Sequence, residues 1–193
     1  MSGKLILKSS IFIIISISLF FIFYKKEKEI KIVNDFVDLR SGDLIFRKEA
    51  NFISDIFSKI DNSVYSHIGI LLIENGKTFV YHIESDEQKN DMKKDEINYF
   101  LSTAEKYAIF RYKKDINNIL LNDILKDMRN QNIKFDFSFN LKTTDKLYCT
   151  EFVNDIFYKL VNQNIYTYIY DYNSNPIITI KSIMQNKELT KIY

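Results

Sequence analysis

One cysteine, two histidines, one proline and four glycines are all that 193 residues contain of these types, and there is no tryptophan. A single thiol excludes an internal disulfide. With only two histidines beside it, thiolate-rich zinc sites of the Cys₄ or Cys₂His₂ kind are excluded too. No spacing marks a carboxylate-assisted metal site, and no metal or other cofactor is expected. A surplus of one charge is also missing: 27 Lys and Arg against 25 Asp and Glu leave +2, which gives no electrostatic case for nucleic acid as a partner. The hydrophobic share of 46% and charged share of 27% are globular values, so collagen-like and wholly disordered chains are excluded. The length suits one domain with an appendage, large enough to bury a core without disulfides or metals.

The appendage is N-terminal. Residues 11–24 read IFIIISISLFFIFY, an uncharged run that extends back to Ser9 and is flanked by Lys4 and Lys8 before it and Lys25, Lys26 and Lys28 after it. A membrane-spanning helix needs roughly 20 residues and a signal-peptide core roughly 7–15. Tyr24 runs directly into Lys25-Lys26-Glu27-Lys28-Glu29 without small residues for cleavage, and a chain whose only thiol is Cys149 has no lipobox. Residues 1–32 are therefore expected to be an uncleaved membrane anchor engaging the bilayer through residues 9–24, with a signal segment as the alternative. Residues 33–193 form the domain. The expected location is the cell envelope, on a single-pass anchor, and the lysine counts on its two sides are too close to assign the side.

From about Val33 the pattern is mixed α and β. Ser41-Gly42-Asp43 is a turn into a strand at Leu44–Phe46, and Phe52, Ile53, Ile56, Phe57 and Ile60 recur at helical spacing. Two β-rich runs, His67–Ile73 and Thr78–Glu84, flank Glu74-Asn75-Gly76-Lys77, where Asn-Gly predicts a two-residue hairpin turn. A helix near Asp95–Lys106, a strand over Ala108–Tyr112, a helix from Asp115 with Ile116, Ile119, Leu120, Ile124 and Met128 on one face, and a short strand over Phe135–Phe139 are expected next. Phe152, Val153, Ile156, Phe157, Leu160 and Val161 then make Cys149 the opening residue of an amphipathic helix. Pro176 is expected in the first turn of a last helix, with Lys187–Tyr193 as a tail.

The scarce residues fall at chemically suggestive places. Pairing Glu74 with Lys77 puts His67 opposite Glu84 and Gly69 opposite His82, so that His67, His82 and Glu84 share one face of the hairpin. Taken singly, a strand histidine is most often structural, and a free cysteine on a helix seam most often packs. At a helix N-terminus, however, unpaired N–H groups and the helix dipole stabilise a thiolate, and a nearby imidazolium lowers the thiol pKa further. The same N–H groups receive a tetrahedral oxyanion. Cys149 as nucleophile, His67 as base and acid, and His82 or Glu84 as orienter would form a triad. Tyr65 and Tyr148, beside triad members, are candidate substrate contacts or plain packing. Glu151, Asp43 and Asp136 are read as structural.

Taken in order, Gly42-Asp43-Leu44-Ile45-Phe46, Tyr65-Ser66-His67-Ile68-Gly69, Val80-Tyr81-His82, Asp136-Phe137-Ser138-Phe139 and Tyr148-Cys149-Thr150-Glu151-Phe152-Val153 resemble the permuted NlpC-type papain-like cysteine hydrolases, in the YiiX/YebB-like branch. The resemblance spans roughly residues 41–161, with histidine preceding cysteine, the reverse of papain. It implies an α+β fold: an antiparallel sheet with packed helices, here preceded by the N-terminal membrane helix. It also implies amide hydrolysis, with cell-envelope peptides as substrates. The third triad position is often glutamate in YiiX-like relatives, whereas His82 stands there here. The lecithin:retinol acyltransferase-like group, which is similar in this respect, carries histidine. An acyl-lipid substrate, for a lipid acyl hydrolase or acyltransferase, is thus the enzymatic alternative to a peptide. A non-catalytic ligand-binding or scaffold domain is the other.

Overall fold

In the computed structural model, which describes residues 36–50, 52–85 and 90–193, Asn75 and Gly76 take φ of 51° and 75°. Two successive left-handed residues make a type I′ turn, whose twist matches that of the strands it joins. It links β2 (His67–Glu74) to β3 (Lys77–Ser85), pairing Glu74 with Lys77 and Ile70 with Tyr81 in the expected register. The remaining strands are β1 (Leu44–Glu49), β4 (Asn90–Glu96), β5 (Ala104–Tyr112), β6 (Lys134–Phe135), β7 (Lys146–Leu147), β8 (Tyr170–Tyr172), β9 (Asn175–Ile177) and β10 (Leu189–Lys191). Eight of them form one sheet in the order β10-β5-β1-β2-β3-β4-β6-β7, and β8 and β9 form a separate hairpin. Among the described residues every strand pairing is antiparallel except that of β6 with β7.

Strand alternation sorts the core into two layers. On one face Phe46, Ile68, Ile70 and Ile83 pack with Leu121 and Met128 of α3 (Asn118–Asn130) and Phe152 and Ile156 of α4 (Cys149–Val161). On the other, Ile45, Leu71, Val80 and Ile109 meet Phe100 and Leu101 of the one-turn helix α2 (Ile97–Leu101). Two further helices, α1 (Phe52–Ile60) and α5 (Ile180–Met184), complete the domain. The expected mixed fold with an antiparallel sheet is therefore observed. The expected anchor at residues 9–24 lies outside the described residues; among those described, no helix is long and apolar enough to cross a membrane.

Several local expectations are corrected. The stretch expected as a helix from Asp95 is the end of strand β4 followed by α2. Strand β4 reads Asn-Asp-Met-Lys-Lys-Asp-Glu and has no apolar alternation to betray it, because its stability comes from pairing with β3 along its whole length. Asn117 caps α3, its side-chain oxygen accepting from the N–H groups of Ile119 and Leu120 at 3.1 Å each. That cap turns Leu121, Ile124, Leu125 and Met128 inward and leaves Ile119 76% exposed. Pro176 lies in β9, opposite Asp171, and Thr179 caps the last helix instead. The expected C-terminal tail pairs with β5 as β10. Asp43, fully buried, accepts from Nε and Nη2 of Arg111 at 2.8 Å each and from the Arg40 N–H at 2.8 Å, which is the structural role expected of it.

Candidate active site

The carboxyl end of β1, the start of β2 and the end of β3 lie at the same end of the sheet, and there they open onto a cavity of about 890 Å³. Arg47, His67 and Glu84 line it from the sheet, and Tyr148, Cys149 and Thr150 line it from the start of α4. Between β2 and β3 the ladder pairs only Ile70–Glu74 with Lys77–Tyr81. At His67–Gly69 β2 pairs with Ile45–Arg47 of β1 and leaves its edge toward β3 to other partners, and the N–H groups of Ile68, Thr150 and Cys149 itself favour the Cys149 thiolate. Tyr148 occupies the N-cap of α4 with extended backbone, and the Glu151 carboxylate reaches back to accept from the Tyr148 N–H at 3.4 Å. The Tyr148 hydroxyl accepts from the Ile178 N–H at 2.8 Å, which fixes the entry to the helix.

The two histidines meet as the hairpin register predicts. His67 Nε2 and His82 Nδ1 are 2.9 Å apart, and their rings lie edge to face with centroids 5.0 Å apart. Gly69 faces His82 across the strands; a Cβ there would come within 3.2 Å of the His82 Cβ and 2.5 Å of Val80 Cγ1, so only glycine leaves the space. His82 Nε2 lies 2.9 Å from Oδ2 of Asp95, a residue of β4 that sequence reading did not single out. A carboxylate only accepts, so His82 Nε2 carries the proton, its Nδ1 is an acceptor, and His67 donates to it from Nε2. The tautomers follow in sequence from Asp95. They leave the lone pair of His67 on Nδ1.

Both rings lie against Phe100, His82 is fully buried and His67 nearly so. Burial is the main reason that the pKa of each is lowered, and the Arg47 guanidinium lowers both further. Glu84, the alternative orienter, is otherwise engaged: its carboxylate accepts from Arg47 Nη2 at 2.7 Å and pairs with Lys93 at 3.4 Å. Arg47 also donates to the Phe100 carbonyl at 2.7 Å and lies 4.2 Å over its ring. Among the described residues, a ring nitrogen each of His67 and His82 and a Glu84 oxygen lie within 4.8 Å of one another, the spacing of a three-ligand cation site. His82 Nδ1 is taken up by His67 and Glu84 by two cationic side chains.

Two effects oppose each other at Cys149. Burial pushes its thiol up to about 12, outweighing the three N–H groups that favour the anion, and Glu84 adds to the rise. The residue as a whole is only half-buried and lines the cavity. With the histidines held neutral as well, the resting pair is thiol and imidazole. Of the two candidate tyrosines, Tyr148 lines the cavity. Tyr65 is buried against Phe46, with ring centroids 6.0 Å apart, and is a packing residue outside the lining.

The rest of the wall is largely apolar. It comes from Phe57 and Ile60 of α1, Phe135 of β6, Phe137 and Phe139 after it, and Ile177 of β9. Phe139 has φ of 52°, a left-handed conformation that costs a bulky residue about 1–3 kcal/mol. Asp136 holds it there, accepting from the N–H groups of Ser138 at 2.8 Å and Asn140 at 2.7 Å, while Asn175 Nδ2 donates to the Phe139 carbonyl at 3.2 Å. The Phe139 ring is thereby set against Phe57 and Tyr148, with centroids 5.6 and 5.2 Å away.

Comparison with known proteins gives one family and one fold. Residues 38–193 match the family described as permuted papain-like amidase enzyme, YaeF/YiiX, C92 family. The crystal structure of the metalloprotein YiiX from Escherichia coli O157:H7 superposes with a TM-score of 0.67 at 19% identity, covering 80% of this chain and 96% of that one. No curated protein matches the chain.

Proposed function

The chain belongs to the permuted papain-like amidase family of YaeF and YiiX, and is a cysteine hydrolase; we propose that Cys149, His67 and His82 are its triad, with Asp95 holding the orienting histidine, and that it cleaves an amide. The continuous arrangement of Asp95, His82 and His67, at 2.9 Å and 2.9 Å, carries this reading. It leaves His67 Nδ1 free to act as the base, and His67 and Cys149 line the same cavity. As the sulfur attacks the substrate carbonyl carbon, its proton passes to His67 Nδ1 and the carbonyl π pair moves onto oxygen. The N–H groups at the start of α4 receive that oxygen. Collapse breaks the C–N bond, and His67 gives its proton to the departing amine. Water then attacks the thioester with His67 as base, releasing the carboxylic acid and the thiol.

A neutral resting pair suits this sequence, because the proton moves during attack rather than before it. His82 and Asp95 steady the imidazolium formed in between, as its Nε2–H points into their hydrogen-bonded chain. YiiX is a metalloprotein. In this chain Arg47 and Lys93 already pair with Glu84 and His82 Nδ1 accepts from His67, which leaves His67 Nδ1 alone of the three donors free, so they do not fit a resident divalent ion and no step passes through one. In our reading the uncharged run at residues 11–24 holds the hydrolase at a membrane of the cell envelope, and membrane fractionation of the chain with and without residues 1–32 tests that. The test of the triad is amide turnover by His82→Ala and Glu84→Gln. Loss in the first with retention in the second is expected. Full activity in His82→Ala with loss in Glu84→Gln would transfer the orienting role to Glu84.

A further inference from the structure

Resting on the triad reading above, we propose that Arg47 is a positioning residue for the reaction: by holding Glu84 it keeps His67 bonded to His82, and so decides which residue orients the base. The first observation is a competitor. A Glu84 carboxylate oxygen and a ring nitrogen each of His67 and His82 lie within 4.8 Å of one another. A carboxylate forms a charge-assisted hydrogen bond, roughly twice as strong as one to a neutral acceptor. Left to itself, Glu84 would take the His67 Nε2 proton that His82 Nδ1 accepts at 2.9 Å. His67 would then turn toward a fixed negative charge and away from the chain that ends on Asp95.

The second observation is what restrains Glu84. Arg47 Nη2 donates to Oε1 at 2.7 Å and Lys93 Nζ lies 3.4 Å from Oε2, so each oxygen carries a cation. Arg47 is itself anchored on several sides. It stands directly across the strands from His67, is only 5% exposed, and is held by the Phe100 carbonyl at 2.7 Å and by Glu49 at 3.2 Å. Its guanidinium lies over the Phe100 ring, against which both imidazoles also rest. A planar guanidinium presents its donors in a rigid fork, and that rigidity is passed on to the carboxylate it holds.

The third observation is a cost that packing does not explain. Leu44, Ile45 and Phe46, the residues of β1 before Arg47, are apolar and buried. Arg47 Nε is buried too, and it has no hydrogen-bond partner among the described residues. An apolar side chain of similar length would carry no such unmatched donor. The charge stands where its removal would free a carboxylate within reach of both imidazoles.

The test uses the full chain and compares Arg47→Met with Arg47→Met/Glu84→Gln. Arg47→Met should lower kcat for an amide by about 10²-fold, the effect of a misplaced reacting group, with KM little changed. The double variant has no carboxylate to release and should regain most of that loss. Such recovery separates positioning from a merely structural role, because removing Glu84 as well cannot refill the space left by the guanidinium. Arg47→Lys keeps a cation for Glu84 and should lose less than Arg47→Met. A second readout needs no turnover. The chain has two histidines in all, so after isotopic labelling of their ring nitrogens a nitrogen–nitrogen NMR coupling across the hydrogen bond reports the contact of His67 with His82. It should be present in the unaltered protein, absent in Arg47→Met and present again in the double variant. If Arg47→Met does not fold, Arg47→Lys and Arg47→Lys/Glu84→Gln replace it in both measurements, with a smaller loss and the same recovery.

An Arg47→Met protein that keeps the coupling, or a double variant as impaired as Arg47→Met, overturns the proposal. If the unaltered chain cleaves amides through Cys149 and Arg47→Met does so equally well, the proposal fails and the hydrolase reading stands. If no amide acylates Cys149, yet the coupling vanishes in Arg47→Met and returns in the double variant, the hydrolase reading fails and the positioning of His67 by Arg47 stands.

Discussion

On the sheet side of the cavity, the polar groups are carried by strands and bound to one another: Asp95 on β4, His82 on β3 and His67 on β2 are joined by two bonds of 2.9 Å. On the other side, the apolar wall comes from one helix, the segment after β6 and the β8–β9 hairpin, tied together by Asp136 and Asn175. Regular strands fix distances to within tenths of an ångström, which proton transfer needs. A wall of loops can be reshaped without disturbing them. Substitutions on the two sides should therefore separate in kinetics: the sheet side should change kcat, and the wall KM.

The largest effect is expected from Cys149→Ala, which removes the nucleophile and should reduce amide turnover to background while leaving the thermal midpoint nearly unchanged. His67→Ala should lower kcat by about 10²- to 10⁴-fold. His82→Ala should fall near the lower end of that range, and Asp95→Asn should lose less than His82→Ala, both with little change in KM. Should Asp95→Asn instead raise KM with kcat intact, the two sides of the cavity would not be functionally distinct. On the wall, Phe137→Ala should raise KM for an amide substrate several-fold and leave kcat nearly unchanged, since this ring lines the cavity and stands exposed at its rim.

The smallest effect concerns stability. Burial raises the Glu151 pKa to about 8 from an ordinary 4.5. The folded protein therefore holds a proton that the unfolded chain releases between those values, and the stability contributed by Glu151 is present below pH 4.5 and lost as pH rises through 8. The histidines run the other way. Their pKa values are lowered by burial, so stability falls as pH drops below 6.5 and the unfolded chain takes up protons that the folded one refuses. Denaturation midpoints recorded across pH 5 to 9 should flatten on the alkaline side in Glu151→Gln, and an unchanged slope would remove Glu151 from this account.

Much of the site was legible because it is built from local patterns. Asn75-Gly76 specified a turn, the turn specified a register, and the register brought His67 and His82 together. The spacing of Phe152, Val153, Ile156 and Phe157 put Cys149 at a helix start. Asp95 was hidden because β4 is held by backbone pairing and charged neighbours, with nothing periodic to read. Arg47 was hidden for a related reason. It lies within an apolar strand, and its burial is made tolerable by Glu49 two residues on and by Glu84 and the Phe100 carbonyl, both distant in sequence. The cavity wall is less legible still, since Phe139 owes its place to a left-handed backbone and to Asn175, a residue 36 positions away.

The most direct test is the rate of Cys149 alkylation by iodoacetamide as a function of pH, in the unaltered protein and in His67→Ala. With a neutral thiol facing a neutral imidazole that takes its proton during attack, the unaltered protein should react at a nearly constant rate from below pH 6.5 through neutrality. His67→Ala should react slowly there and accelerate only toward the high pKa of the buried thiol, about 12. Identical profiles in the two proteins, both rising at the ordinary thiol pKa of about 8.5, would show that His67 does not act on Cys149 and would contradict the triad.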